Sequence, residues 1–306
     1  MYLHLHKLFD TYNSYADEGI TSVCDVNRQA AAEPVKGDPI LFGLLTFCKS
    51  NYELVNGQTN VAMGSVLSIW HEYREAGLDD PENAKLPPMA DLQAAAQHMN
   101  IDDLILDEAA QTVYFADPEM KLDVGAVAKG YATEIVSQML LAGDMPSFII
   151  SAGGNVRCGQ KPLDGRARWG VSIQDPGPAD GLPGTAYMDV LYLTNLSVVT
   201  SGDYQRYYTV DGVRYHHIID PATGRPARSG LSSVTVVDAD SARADALCTA
   251  LFVMGSRRAP EFLKGRGDIR AVLVTEDKRV LITPSAEKIF RLTDESLALS
   301  VIGAGE

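Results

Sequence analysis

The chain is poor in cysteine, in tryptophan and in positive charge. Its four cysteines, Cys24, Cys48, Cys158 and Cys248, are scattered through 306 residues with no CxxC pair. That removes the usual sequence signs of a zinc site or a disulfide framework. Lysine and arginine total 26 against 40 acidic residues, a formal charge of −14. A surface of that sign does not suit a phosphate backbone, so no nucleic-acid partner is expected. An anionic small ligand would need local help from a metal, a lysine or helix N-termini. Apolar runs long enough for a membrane span or a secretory leader are missing as well. The chain begins abruptly at Met1-Tyr2, as one with an export signal removed would, so the missing leader says little about location.

What is present is a substantial apolar fraction, 46% of residues, enough to build a core for one large domain or two small ones. The pattern predicts helix in residues 1–15, 37–56, 61–75, 90–98, 127–141, 241–254 and 259–263. Short strand-like runs fall at 104–106, 112–115, 147–151, 169–174, 186–193, 197–200, 207–210, 215–219, 234–237, 271–275 and 280–283, the last two as a terminal hairpin. Asp211-Gly212 between two aromatic runs is a strong hairpin turn. The expectation is α+β: one domain, residues 1–306, of largely antiparallel sheet packed with helices.

Two distant segments stand out for chemistry. In residues 122–132 an acidic Asp123 precedes Gly125 and a helix whose first turns hold Lys129. Backbone amides there can cradle a phosphate, with Lys129 as a point charge; a plain helix cap with a solvated lysine fits too. In residues 244–250, Asp245 and Thr249 are four apart and share a helix face. A carboxylate and a hydroxyl so spaced suit a hard cation such as Mg²⁺, and equally a buried Asp–Thr hydrogen bond.

Three further segments are weaker. His216 and His217 are adjacent on a strand, so at most one faces any given site. Beside a metal and a phosphate, one histidine would suit general-base work. Residues 151–155 read as a glycine turn permitting close backbone contact with a ligand, or as an ordinary hairpin turn. Residues 200–204 read the same way.

In order and spacing, residues 123–132, 152–155, 200–204, 217–221 and 244–250 resemble the ApbE-type FAD:protein FMN transferase family. Residues 60–64 followed by Trp70, and Tyr12 with Asn27, extend the resemblance over nearly the whole chain. The run Ile69-Trp70-His71-Glu72-Tyr73-Arg74 is similar to the Firmicute-type members.

The resemblance implies a T-fold-like domain that binds FAD and Mg²⁺. It implies transfer of FMN from FAD, as substrate, to a Ser or Thr hydroxyl of an acceptor protein, with release of AMP. Acceptors of the family are flavin-carrying subunits of Rnf complexes and sodium-pumping quinone reductases. Asp245, Thr249 and the carbonyl of Ala126 match its magnesium ligands, and Asp123 and Lys129 its FAD contacts. Tyr12, Gln58, Thr59, Asn60 and Ile218 fall at further flavin positions, and His217 at the base that activates the acceptor hydroxyl. An extracytoplasmic, lipoprotein-tethered location is implied as well. The chain departs from the family in two ways: its usual first strand does not precede Tyr2, and residues 58–60 lack the acidic group common there. Hydrolysis of FAD to FMN and AMP, or FAD binding without chemistry, are the alternatives.

Overall fold

A computed structural model describes residues 1–174, 187–204, 206–292 and 297–303. The expected strand at 186–193 begins at Tyr187, and residue 186 lies outside the described residues. Among the described residues the α-helices are α1 (Tyr2–Leu8), α2 (Val23–Gln29), α3 (Pro39–Asn51), α4 (Gly64–Asp79), α5 (Met89–Ala95), α6 (Ala128–Ala142) and α7 (Ser241–Leu263). The chain forms two compact units. One comprises residues 1–128 and 206–226, the other residues 129–205 and 227–306.

In the first unit, local chemistry starts the helices. α2 opens with a capping box: Ser22 accepts from the Asp25 amide, and the Asp25 carboxylate accepts from the Ser22 amide. α3 opens with Asp38 accepting from the Ile40 amide and Pro39 in the first turn, and buries Leu41, Phe42, Leu44 and Leu45. α4 starts at Gly64, whose amide donates to the Lys121 carbonyl at 2.9 Å. A Cβ there would stand 2.5 Å from that oxygen, so only glycine fits. Asn27 grips the same segment from the other side. Its side chain donates to the Leu122 carbonyl at 2.9 Å and accepts from the Leu122 amide at 2.7 Å. Residues 121–123 are thereby fixed in place ahead of α6.

Strands Leu104–Asp107 and Thr112–Phe115 form the expected hairpin, with Val35–Lys36 added to its edge. Strands Tyr207–Val210 and Val213–His216 form a second. Its turn residues Asp211 and Gly212 have φ of 50° and 75°, the geometry that the Asp-Gly pair favours. The run expected over 215–219 is broken: one strand ends at His216, and Ile219–Asp220 pairs separately with Arg225–Pro226. Trp70, on α4, packs with Val66, Tyr208, Val210 and Ile219, and its indole N–H donates to the Gly224 carbonyl at 2.8 Å.

The second unit is built on a seven-stranded sheet. Its order is Ala298–Val301, Arg279–Ile282, Arg270–Thr275, Leu231–Asp238, Ser197–Gly202, Asn155–Cys158, Ile149–Ser151. All neighbours are antiparallel except the first pair, so the expected terminal hairpin gains a parallel neighbour. Gly153 and Gly154, at φ of 55° and 87°, turn the chain between the last two strands. α7 lies along Leu231–Asp238 and Ser197–Gly202. There the single proton of the Cys248 thiol is shared between the carbonyls of Val234, at 3.0 Å, and Val199, at 3.3 Å. Burial pushes this thiol up to about 12, so it packs as a neutral group. The helices expected over 241–254 and 259–263 are both present within α7, parted at Gly255, whose φ of 76° and ψ of −178° are not helical. Strands Trp169–Gln174 and Tyr187–Leu193 form a separate pair.

Candidate functional site

In the second unit, the start of α6 meets the first turns of α7. The Asp245 carboxylate is 2% exposed; its Oδ2 accepts from the Gly130 amide at 2.7 Å and lies 3.5 Å from the Lys129 ammonium. The approach requires glycine, because a Cβ on residue 130 would stand 2.3 Å from the Ser241 carbonyl oxygen and 2.7 Å from the Asp245 Cβ. The N-terminus of α7 is held by side chains. Asp240 accepts from the amides of Ala242 and Arg243, and Glu134 of α6 accepts from the Ser241 amide at 2.9 Å. The Ser241 hydroxyl donates to Asn155 Oδ1 at 2.8 Å. A carboxylate this deep is costly without cationic and hydrogen-bonding partners, which Lys129 and Gly130 supply.

Thr249 is half-buried one turn beyond Asp245. A carboxylate and a hydroxyl on one helix face are oxygen donors, the set a magnesium ion takes when substrate phosphates and water complete its shell. Among the described residues no group of three or more His, Cys, Asp or Glu side chains could hold a metal ion by itself. A cation here would therefore rest on a single carboxylate with neutral oxygens, and the residues present fit that arrangement.

In the first unit, Asp123 takes a hydrogen bond on each oxygen. The Gly125 amide donates to Oδ1 at 2.8 Å and the Tyr12 hydroxyl to Oδ2 at 3.0 Å. Tyr12 is held from behind by its own loop, where Asp10 accepts from the amides of Tyr12 and Asn13 and from the Tyr15 hydroxyl. Burial and the Asp123 charge raise the Tyr12 phenol far above its ordinary value, so it stays a donor. Its ring stacks on His71 of α4, with centroids 3.8 Å apart and planes within 16°.

Four amides of the cradle expected at the start of α6 are bonded within the protein itself. The N–H groups of Val127 and Ala128 both donate to the Val124 carbonyl, that of Gly125 to Asp123, and that of Gly130 to Asp245. Lys129 is the charged group that a phosphate would meet in this stretch. Ala126 is half-buried.

The remaining expected residues differ in character. Asn60 donates to the Met99 carbonyl and accepts from the Ala62 amide, both at 2.9 Å, so its amide shapes the loop before α4. Thr59 is buried, and Gln58 donates to the Asn56 carbonyl. The two histidines part company, though not by alternating along a strand, because the strand ends at His216. His216 is buried, with Nδ1 accepting from the Ile218 amide, while His217 is half-buried just beyond the strand. Ile218 is buried. His217 Nδ1 lies 3.2 Å from the Arg206 carbonyl oxygen. A carbonyl only accepts, so Nδ1 carries the proton and, in the neutral ring, Nε2 carries the lone pair.

The structure thus brings Tyr12 to Asp123 in one unit, and Lys129 to Asp245 in the other. Sequence reasoning gave no role to His71, Arg74 or Glu134. A ring stack between remote segments leaves no periodic signal in the sequence.

Comparison with known proteins bears on the family and the fold. The model of the ApbE family matches residues 3–273. An FAD:protein FMN transferase of Treponema pallidum is 32% identical over 292 residues, 93% of this chain and 79% of that protein. One of Klebsiella pneumoniae is 32% identical over 264 residues, 86% of this chain and 78% of that protein. The crystal structure of the ApbE protein of Thermotoga maritima superposes with a TM-score of 0.79 at 30% identity, covering 94% of this chain and 87% of that one.

Proposed function

The chain belongs to the ApbE family, and from that premise we propose that it transfers FMN from FAD to a Ser or Thr hydroxyl of an acceptor protein, releasing AMP. The observation that carries the reading is the buried Asp245 carboxylate, held by Lys129 and the Gly130 amide, with Thr249 one turn along the same face.

Asp245 and Thr249 would hold Mg²⁺, with the Ala126 carbonyl assigned to the same ion on the family pattern. When bound, that ion supplies positive charge against the phosphate oxygens of the anhydride. Lys129 adds a second positive charge beside Asp245. Tyr12 and Asp123, joined by their hydrogen bond, are assigned to the flavin nucleotide, with Gln58, Thr59, Asn60 and Ile218 as further contacts.

The acceptor hydroxyl oxygen bonds to the FMN phosphorus while the bond from that phosphorus to the bridging oxygen breaks. AMP leaves with the bridging oxygen, and the product is an FMN phosphoester. His217 Nε2 takes the proton of the attacking hydroxyl; the Arg206 carbonyl fixes the tautomer that makes Nε2 the basic atom. This chain's acidity is no obstacle, because the positive field is local.

The acceptor class we propose is the flavin-carrying subunit of an Rnf or quinone-reductase complex, met outside the cytoplasm by a lipid-tethered enzyme. Among the described residues no helix is long and apolar enough to cross a membrane. Incubation with FAD, MgCl₂ and a Ser/Thr acceptor peptide tests the reaction. A covalently attached fluorescent flavin with AMP supports it. Free FMN with AMP would instead indicate hydrolysis, and intact bound FAD a non-catalytic protein.

A further inference from the structure

The helix α4 carries two neighbouring rings with opposite duties. Trp70 is buried and hydrogen-bonded to the Gly224 carbonyl, which anchors the helix inside the first unit. His71, next in sequence, has a side chain 28% exposed and lies face to face with Tyr12. Arg74, one turn along, places Nη2 2.8 Å from His71 Nδ1. A guanidinium only donates, so Nδ1 accepts and the proton sits on Nε2. Glu75 accepts from Arg74 Nε and Nη2 in turn. The imidazole is therefore oriented by its own helix before it meets the tyrosine.

We infer that His71 is a positioning residue for the flavin substrate: its ring, oriented by Arg74, backs Tyr12 and keeps the phenol on Asp123. The inference rests on the proposed flavin contact of Tyr12. The physical case is entropic. Tyr12 is 39% exposed and sits in a short loop, where a lone aromatic side chain would sample several rotamers. A parallel ring at 3.8 Å removes that freedom on one face and aligns the hydroxyl with the carboxylate across a gap of 3.0 Å. Preorganisation of this kind improves binding by lowering the cost of ordering the site. The effect therefore falls on FAD affinity rather than on the proton transfer assigned to His217.

A double-mutant cycle on FAD affinity, read from flavin fluorescence without magnesium, tests this. His71→Ala is expected to weaken FAD binding by roughly 3- to 10-fold, the worth of one aromatic pair, and to lower kcat at saturating FAD by less. His71→Phe, which keeps a ring against Tyr12, is expected to bind within about twofold of the parent. With Tyr12 already changed to Ala, His71→Ala should cost nothing more, because the two act as one unit. Ring ¹⁵N spectra should show Nε2 of His71 protonated and Nδ1 not. If Tyr12→Ala leaves FAD affinity unchanged, the flavin contact of Tyr12 is wrong. If Tyr12→Ala weakens binding while His71→Ala does not, or if the two losses simply add, the positioning role is overturned.

Discussion

Lys129 and Asp245 form an ion pair across the start of two helices, Nζ 3.5 Å from Oδ2, with the Gly130 amide on the same oxygen at 2.7 Å. The carboxylate is nearly inaccessible and the lysine is one-third exposed. A charge buried this far carries a desolvation cost, which the Lys129 ammonium and the Gly130 amide offset; the proposed function gives the same carboxylate a cation to hold. Asp245→Ala is accordingly expected to lower flavin transfer by at least about 100-fold, the scale of losing several kcal/mol of charge stabilisation. Circular dichroism should remain that of the parent. Undiminished turnover in this variant would remove the metal assignment.

Gly130 lets the helices approach. A methyl group there would stand 2.3 Å from the Ser241 carbonyl oxygen, a backbone atom. Gly130→Ala is expected to destabilise the protein by about 1–3 kcal/mol, the usual cost of overpacking. Gly37, where a Cβ would meet nothing within 4 Å, provides the comparison. Gly37→Ala should stay within about 0.5 kcal/mol of the parent. Urea denaturation of the two variants checks both values.

His217 is assigned to proton transfer rather than to binding, since its Nδ1 faces the Arg206 carbonyl and Nε2 carries the lone pair. His217→Ala should slow transfer by roughly 10²- to 10⁴-fold while FAD affinity changes by only a few-fold. Comparable losses in kcat and in FAD affinity would assign His217 to ligand positioning.

Asp25 gives the first unit an acid-sensitive anchor. Burial pushes its carboxyl up, but hydrogen bonds from Ser14, the Ser22 hydroxyl and the Ser22 amide, together with the Arg28 charge, bring it below the ordinary value. A lowered native pKa means that the unfolded chain takes up the proton first. The stabilisation is present above the unfolded carboxylate pKa and is lost as pH falls through the native one. Thermal unfolding between about pH 5 and pH 2 should show a shallower loss of Tm for Asp25→Asn than for the parent.

Some of this architecture can be read directly from the chain. Residues 127–141 and 241–254 repeat their apolar positions at helical spacing, and both become helices, α6 and the first part of α7. Asp211-Gly212 announces its hairpin through the two positive φ angles that it tolerates. The strand Ala298–Val301 escapes because its side chains are mostly exposed and show no alternation. Asn155–Cys158 escapes for the opposite reason, being buried almost throughout. The residues singled out for function divide in the same way. Asp245 and Thr249 are legible as neighbours on one helix face, whereas the Tyr12–His71 stack and the Glu134–Ser241 cap join remote segments through tertiary packing.

The most direct test of the account is the stoichiometry of the reaction. The protein is mixed with FAD, a Ser/Thr acceptor peptide and either MgCl₂ or excess chelator, and covalent flavin is counted against AMP. The account predicts one AMP for each flavin on the peptide, transfer only with the metal, and loss of both products in Asp245→Ala. Equal transfer in the presence of chelator, or AMP released without any flavin on the peptide, would contradict it.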